Sequence, residues 1–235
     1  MSLFGTNDIR NDLGDELLRR PEIPETKDYS GEKSFFEAFA DALRAFIDSL
    51  REALGGESSS EAREVNETLA EKASDVMAEV FDERTLREWG TMSMEQREAK
   101  LSEYYSKLGE ALGINARGVI IEDCAVTAGV GVLGYNSGDG YLHIDYRNLQ
   151  DPSRLIDVLN TTTHEARHQL QVEAIADPSR FPEISPGLIA EWEHNMRNYD
   201  NGAFGYESYY NQAVEADARA FATDVINGYI AKLGL

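Results

Sequence analysis

The spacing of the hydrophobic residues changes at Gly113, and this change limits the folds that the 235-residue chain can adopt. Before Gly113, apolar side chains recur with the 3.6-residue period of amphipathic helices, which predicts helices at 34–54, 58–81 and 93–112. After it come three short runs with the composition of strands, at 118–122, 129–135 and 140–146. The sequence therefore predicts an α+β fold with a helical N-terminal portion and a small β-sheet.

Turn-forming and polar segments divide the chain into three predicted parts. Residues 1–33 are polar with scattered charges and predict a loosely held arm. Residues 34–56 predict an amphipathic helix and a linker. Residues 57–235 predict one domain, in which helices at 58–113 precede a sheet and further helices at 114–235. 

Two helix starts have the spacing of a capping box, in which an N-cap hydroxyl and a side chain three residues later exchange hydrogen bonds with the backbone. The first pair is Ser58 and Glu61, and the second is Ser93 and Gln96.

The charge of the chain limits the classes of partner that it is expected to bind. It has 43 acidic and 22 basic residues, which gives a formal net charge of −21. A field of this sign repels phosphate backbones and anionic lipid, so we expect neither nucleic acid nor a membrane as a partner. A polypeptide substrate, and a basic one in particular, fits the charge better.

No stretch of 18 apolar residues and no signal-peptide core occur in the sequence. We therefore expect a soluble protein, located in the cytoplasm or exported by a route that needs no leader. The single cysteine, Cys124, excludes an internal disulfide. We expect Cys124 to be a small, buried hydrophobic residue rather than a metal ligand or a nucleophile.

A long helix is predicted from Asp151 and Pro152 onward to about residue 176, since Asp is a favoured N-cap and Pro is favoured at the first helical position. Within it, His164 and His168 are four residues apart and lie on one face, with Glu165 beside them. Two imidazoles at this spacing can bind one Zn²⁺, while the neighbouring carboxylate accepts a proton from water. The pattern predicts a hydrolytic zinc site. The alternative is a solvated helix face with two unrelated histidines.

Three polar residues share the helix face of the two histidines: Asn160, Thr161 and Gln171. They either orient the ligands through hydrogen bonds or line a polar groove.

A zinc site of this kind needs a third protein ligand, and Glu215 is the first choice. On the last predicted helix it lies beside Ala218 and Ala222, where a carboxylate is costly unless a cation meets it. His194 and Asp217 are the alternatives. The simpler interpretation of Glu215 is an acidic residue in the first turn of a helix, which the helix dipole favours.

His143 and Asp145 alternate with apolar residues in the last predicted strand. They could be taken for a pair of ligands, but the solvated face of a strand explains the alternation more simply.

The sequence around the histidines resembles the zincin metallopeptidases, and among them the gluzincins, whose third ligand is a Glu on a later helix. Thr161, Ala166 and Leu170 match the zincin pattern. Arg167 departs from it by placing a charge where the family prefers none.

The segment 215–222 resembles the Glu-x-Glu-Ala-Asn-x-Phe-Ala helix of ImmA/IrrE-type metallopeptidases, with Asp217 for the second Glu and Arg219 for Asn. The resemblance covers about 118–233. It implies a zincin-like fold in which a small mixed sheet packs on the active-site helix. It also implies an edge strand along the cleft, for which 141–146 is the predicted candidate.

The resemblance and the residues together predict a zinc metalloendopeptidase. His164, His168 and Glu215 would hold Zn²⁺, and Glu165 would act as general base on the attacking water. Tyr209 or Tyr210 could stabilise the oxyanion, although a tyrosine at a helix entry is more often part of the core. The alternative is a catalytically silent zincin-fold binding module with a structural metal.

Overall fold

The computed structural model describes residues 38–42, 45, 60–129, 131–200 and 206–234. The predicted arm, most of the first predicted helix and the capping residue Ser58 lie outside these residues. Of the first predicted helix, residues 38–42 and 45 are helical, and Phe39 lies in the main hydrophobic core.

Within residues 60–117, three helices precede the sheet: α1 (Ser60–Val80), α2 (Glu83–Trp89) and α3 (Met94–Leu112). The capping box at the start of α3 is confirmed, because Ser93 accepts a hydrogen bond from the Gln96 amide and Gln96 accepts one from the Ser93 amide. Helix α3 ends at Gly113, whose φ of 70° favours glycine. The sequence did not predict α2. Its N-cap is Asp82, whose side chain accepts a hydrogen bond from the Thr85 amide.

The sheet contains β1 (Gly118–Glu122), β2 (Gly134–Asn136) and β3 (Tyr141–Asp145), in the order β1-β3-β2. Strand β1 pairs with β3 in parallel, and β2 pairs with β3 antiparallel, so the sheet is small and mixed as expected. A short helix, α4 (Cys124–Thr127), follows β1. Part of the predicted strand at 129–135 is instead irregular, with positive φ at Gly129 and Gly131.

The prediction that 141–146 forms the edge strand is wrong. Strand β3 is central, because β1 and β2 pair with its two sides, and β2 is the edge strand that contacts the histidine-bearing helix. The alternating pattern of β3 predicted its two faces but carried no information on which strands flank it.

The prediction that Asp145 lies on the solvated face of β3 is also wrong. Its side chain accepts hydrogen bonds from the amides of Cys124 and Arg147, and it caps α5 (Tyr146–Gln150). His143 remains partly exposed and bonds Glu122. Cys124 is fully buried, as expected.

After α5, the described residues include four further α-helices: α6 (Leu155–Ala176), α7 (Pro186–Arg197), α8 (Tyr206–Tyr210) and α9 (Ala213–Leu233). The predicted helix start at Asp151 is a 3₁₀ turn, Pro152–Arg154, and α6 begins directly after it. Helix α9 packs against both α1 and α6. Among the described residues, no helix has the length and apolarity needed to cross a membrane.

The sheet lies close to α6 because β2 contains a glycine. A Cβ added at Gly134 would lie 2.6 Å from the carbonyl oxygen of His143 and 2.9 Å from Cγ2 of Thr161. On β3, Leu142 and Ile144 are fully buried. The described part of the chain thus forms a mostly helical α+β fold, in which edge strand β2 runs beside the helix that carries the histidines.

Candidate metal centre

Helix α6 holds the two histidines of the sequence motif on one face. Their Nε2 atoms lie 3.0 Å apart, and their ring planes are nearly perpendicular. Ala166 and Leu170 share the opposite face of the helix, are fully buried, and fix its rotation against the core. The rigid helix therefore brings two imidazole nitrogens to one point.

Glu215 reaches the same point from the first turn of α9. Its Oε2 lies 3.4 Å from Nε2 of His164, and its Oε1 lies 3.4 Å from Nε2 of His168. Burial raises the pKa of this carboxyl, but His168 and His164 more than offset burial and hold the pKa well below its usual value. Glu215 is therefore a buried carboxylate that needs positive charge beside it.

The donor atoms of His164, His168 and Glu215 lie within 4.8 Å of one another, a spacing that could hold a metal ion. The two alternative third ligands are placed elsewhere. His194 is exposed on α7. Both carboxylate oxygens of Asp217 are bonded by Arg167, and one of them also by Gln171.

Glu165 is close enough to His164, His168 and Glu215, and to the backbone of Asn136 on β2, for each of them to shift its pKa. Burial raises the pKa of its carboxyl and Glu215 raises it further, while His164, His168 and the backbone amide of Asn136 lower it, with a net rise. Since Asn136 ends β2, the carboxyl of Glu165 faces both the histidines and the edge strand.

Of the two tyrosines predicted for the oxyanion, only Tyr209 lies at the centre. Burial, together with Glu215 and Glu165, holds the pKa of Tyr209 well above its usual value, so its hydroxyl stays protonated and can donate. The Tyr210 ring instead lies 3.5 Å from the guanidinium carbon of Arg219.

Sequence reasoning missed Tyr199, which follows α7. Its hydroxyl donates a 2.6 Å hydrogen bond to Oε1 of Glu215, and its ring packs edge-on against that of Tyr209. Burial and the Glu215 carboxylate raise its pKa. No pattern in the sequence marks this residue, because only the tertiary fold brings the end of α7 to the start of α9.

Gln171, one of the three polar residues predicted on the helix face of the histidines, makes a hydrogen bond to the ring of His168. Gln171 places Oε1 2.8 Å from Nδ1 of His168, whereas the structure shows no side-chain hydrogen bond from Asn160 or Thr161 to either histidine. Gln171 also donates to Asp217, which Arg167 binds in turn.

Comparisons of this chain with protein-family models, curated proteins and solved structures found no match.

Proposed function

We propose that this chain is a zinc-dependent metalloendopeptidase with a zincin-like fold. The observation that carries the proposal is the convergence of His164, His168 and Glu215 from two helices, with Glu165 beside them at the edge of the sheet.

The donor set suits zinc. Around a tetrahedral Zn²⁺ with bonds of about 2.0–2.1 Å, neighbouring ligand atoms are about 3.3 Å apart. The two imidazole nitrogens are 3.0 Å apart, and each lies 3.4 Å from a different carboxylate oxygen of Glu215. With one donor atom from each residue, all three atoms lie within 4.8 Å of one another, so a small rotation of the carboxylate would complete the ligand set. Two imidazoles and one carboxylate are a common set for catalytic zinc, whereas structural zinc usually has four protein ligands. A Zn²⁺ held here would lower the pKa of a coordinated water to about 7.

Glu165 is the proposed general base. Its carboxyl adjoins both ligand histidines and has a raised pKa, so it can hold a proton taken from the attacking water and release it to the leaving amine. Tyr209 keeps a protonated hydroxyl near Glu215, which suits it to donate to a developing oxyanion, whereas the single hydroxyl hydrogen of Tyr199 is donated to Glu215.

The proposed binding site for the substrate peptide is the edge of strand β2. This strand pairs with β3 on one side, and within the described residues no strand pairs with its other side. An extended peptide could add to that edge by backbone hydrogen bonds, which would bring it past Glu165. The net charge of −21 favours basic peptides.

The proposal is tested with the Glu165→Gln variant. We expect wild-type protein to contain about one zinc per chain by elemental analysis and to cleave an unfolded basic polypeptide. Glu165→Gln should keep the zinc and lose about 10²- to 10⁴-fold in cleavage rate, the usual contribution of a general base. Glu173→Gln is the matched control, since Glu173 lies on α6 but bonds Asn115, Gln169 and Arg180 away from the histidines.

Three results would contradict the proposal. They are folded wild-type protein without zinc, equal cleavage rates for Glu165→Gln and Glu173→Gln, or wild-type protein that binds zinc but cleaves no unfolded polypeptide. The last would favour a silent binding module with a structural metal.

A further inference from the structure

We infer that Gln171 is a positioning residue that keeps the ring proton of His168 on Nδ1 and so presents the Nε2 lone pair to the metal. The inference deepens the proposed function and rests on its metal site alone, not on peptide hydrolysis.

The orientation of the Gln171 amide follows from its partners. Nε2 of Gln171 lies 3.0 Å from the carbonyl oxygen of Val214 and 2.8 Å from Oδ2 of Asp217. Both partners only accept hydrogen bonds, and an amide NH₂ has two hydrogens to donate. A flipped amide would place its oxygen against a carbonyl and a carboxylate. Oε1 of Gln171 must therefore be the atom 2.8 Å from Nδ1 of His168.

The tautomer of His168 follows from that orientation. An amide oxygen can only accept, so Nδ1 of His168 must carry the hydrogen. In the neutral ring the other nitrogen, Nε2, then has its lone pair free. Nε2 is the atom that faces His164 and Glu215, at 3.0 and 3.4 Å.

An ion pair holds the amide in place. Asp217 accepts from Gln171 and also from two nitrogens of Arg167, at 2.8 and 3.0 Å. Arg167 is fully buried, with its guanidinium carbon 5.0 Å from the ring centre of Trp192 and 4.9 Å from that of Phe221. The aromatic faces favour the cation, and the two hydrogen bonds to Asp217 set the direction of its planar guanidinium. Asp217 is thereby fixed, and it fixes Gln171.

The test uses Gln171→Met, which keeps the length of the side chain and removes both hydrogen-bonding ends. Gln169→Met is the matched control. Gln169 is also buried on α6 and hydrogen-bonded at both ends, but its partners, Gly140 and Glu173, are outside the group of candidate ligands.

Two measurements are made on each protein. The first is the position of the ring proton of His168, by ¹⁵N NMR of metal-free protein at a pH at which titration of the same ring signals shows the neutral form. The second is zinc affinity by chelator competition. We expect the proton on Nδ1 in wild type and in Gln169→Met, and a mixture of tautomers in Gln171→Met. Zinc affinity should fall about 10- to 100-fold in Gln171→Met and change less than about twofold in Gln169→Met.

A ring proton on Nε2 in the wild type would overturn the inference, as would equal losses of zinc affinity in the two variants. If Gln171→Met does not fold, the wild-type NMR result decides alone. Zinc binding without peptide cleavage would contradict the proposed function and leave the inference standing. Absence of zinc binding to the folded wild type would overturn both, because the inference rests on the metal site of the proposed function.

Discussion

The guanidinium of Arg167 on α6 and the carboxylate of Asp217 on α9 form a two-point ion pair, with Nε to Oδ2 at 2.8 Å and Nη2 to Oδ1 at 3.0 Å. Both residues depart from the metallopeptidase patterns that the chain resembles. The departures are complementary, because the charge that Arg167 brings into the core is met by the shorter acid at position 217. The pair also joins the two helices that supply the three candidate ligands.

The first prediction concerns the stability of this pair. Arg167→Met should lower the free energy of unfolding by about 3–5 kcal/mol, because it leaves the carboxylate of Asp217 largely buried without its cation. The double variant Arg167→Met/Asp217→Asn should lose less than the sum of the two single variants, by about 1 kcal/mol or more. Urea unfolding of the four proteins measures the coupling.

An exposed pair provides the control for this cycle. Arg197 and Glu193 on α7 form an ion pair whose side chains are 74% and 44% exposed. Arg197→Met should therefore change the unfolding free energy by no more than about 1 kcal/mol. Additive effects of the Arg167 and Asp217 substitutions would show that the buried pair contributes no specific coupling.

Much of the fold follows from local sequence. The capping box at Ser93, the end of α3 at Gly113 and the hairpin between β2 and β3 depend on neighbours in the chain, so the sequence predicts them. The same holds for His164 and His168, since a helix alone brings residues four apart together.

The features that were wrong or missed depend on distant parts of the chain. The central place of β3 depends on β1 pairing with it from 23 residues earlier, as in the pair Gly118 and Tyr141. Asp145 is buried because the amide of Cys124 lies opposite it. Tyr199 joins the centre because α7 and α9 meet there. Hydrophobic periodicity carries no information on these pairings.

The second prediction concerns the approach of β2 to α6. Gly134→Ala should lower the free energy of unfolding by about 1–3 kcal/mol, because the added methyl would overlap the His143 carbonyl and Thr161. It should also slow peptide cleavage by moving Asn136 relative to Glu165. Gly187→Ala on α7 is the control, since a Cβ there meets no atom within 4 Å. Equal stability of the two variants, measured by urea unfolding, would contradict the close approach.

The third prediction concerns the pH dependence of the metal-free protein. Burial lowers the pKa of His168, but the carboxylates of Glu215 and Glu165 outweigh it and raise the pKa to about 9. In the unfolded chain the pKa of histidine is about 6.5. The stabilising contact of protonated His168 is thus fully present below about pH 6.5 and is lost as the pH rises through about 9. The free energy of unfolding should fall across this window, by at most about 1.4 kcal/mol per pH unit.

The zinc affinity should depend on the same protonation of His168, but it should rise with pH, whereas the free energy of unfolding falls. Zinc must displace the proton of His168, so its affinity should rise about tenfold per pH unit between pH 7.5 and 8.5. Chelator competition at several pH values measures this slope. A flat affinity over that range would mean that His168 is already neutral in the metal-free protein or is not a ligand.

The last prediction concerns the hydrogen bond from Tyr199 to Glu215. Tyr199→Phe removes the 2.6 Å contact with Oε1 and leaves the carboxylate free to turn away from the histidines. Zinc affinity should fall about 10-fold or more, as it does when a partner that orients a ligand is lost. Tyr135→Phe is the control, because the Tyr135 hydroxyl makes a similar 2.7 Å bond to the carboxylate of Glu122, which is outside the group of candidate ligands. Its zinc affinity should stay within about twofold of the wild type. If both variants bind zinc as the wild type does, the hydrogen bond from Tyr199 does not orient the ligand.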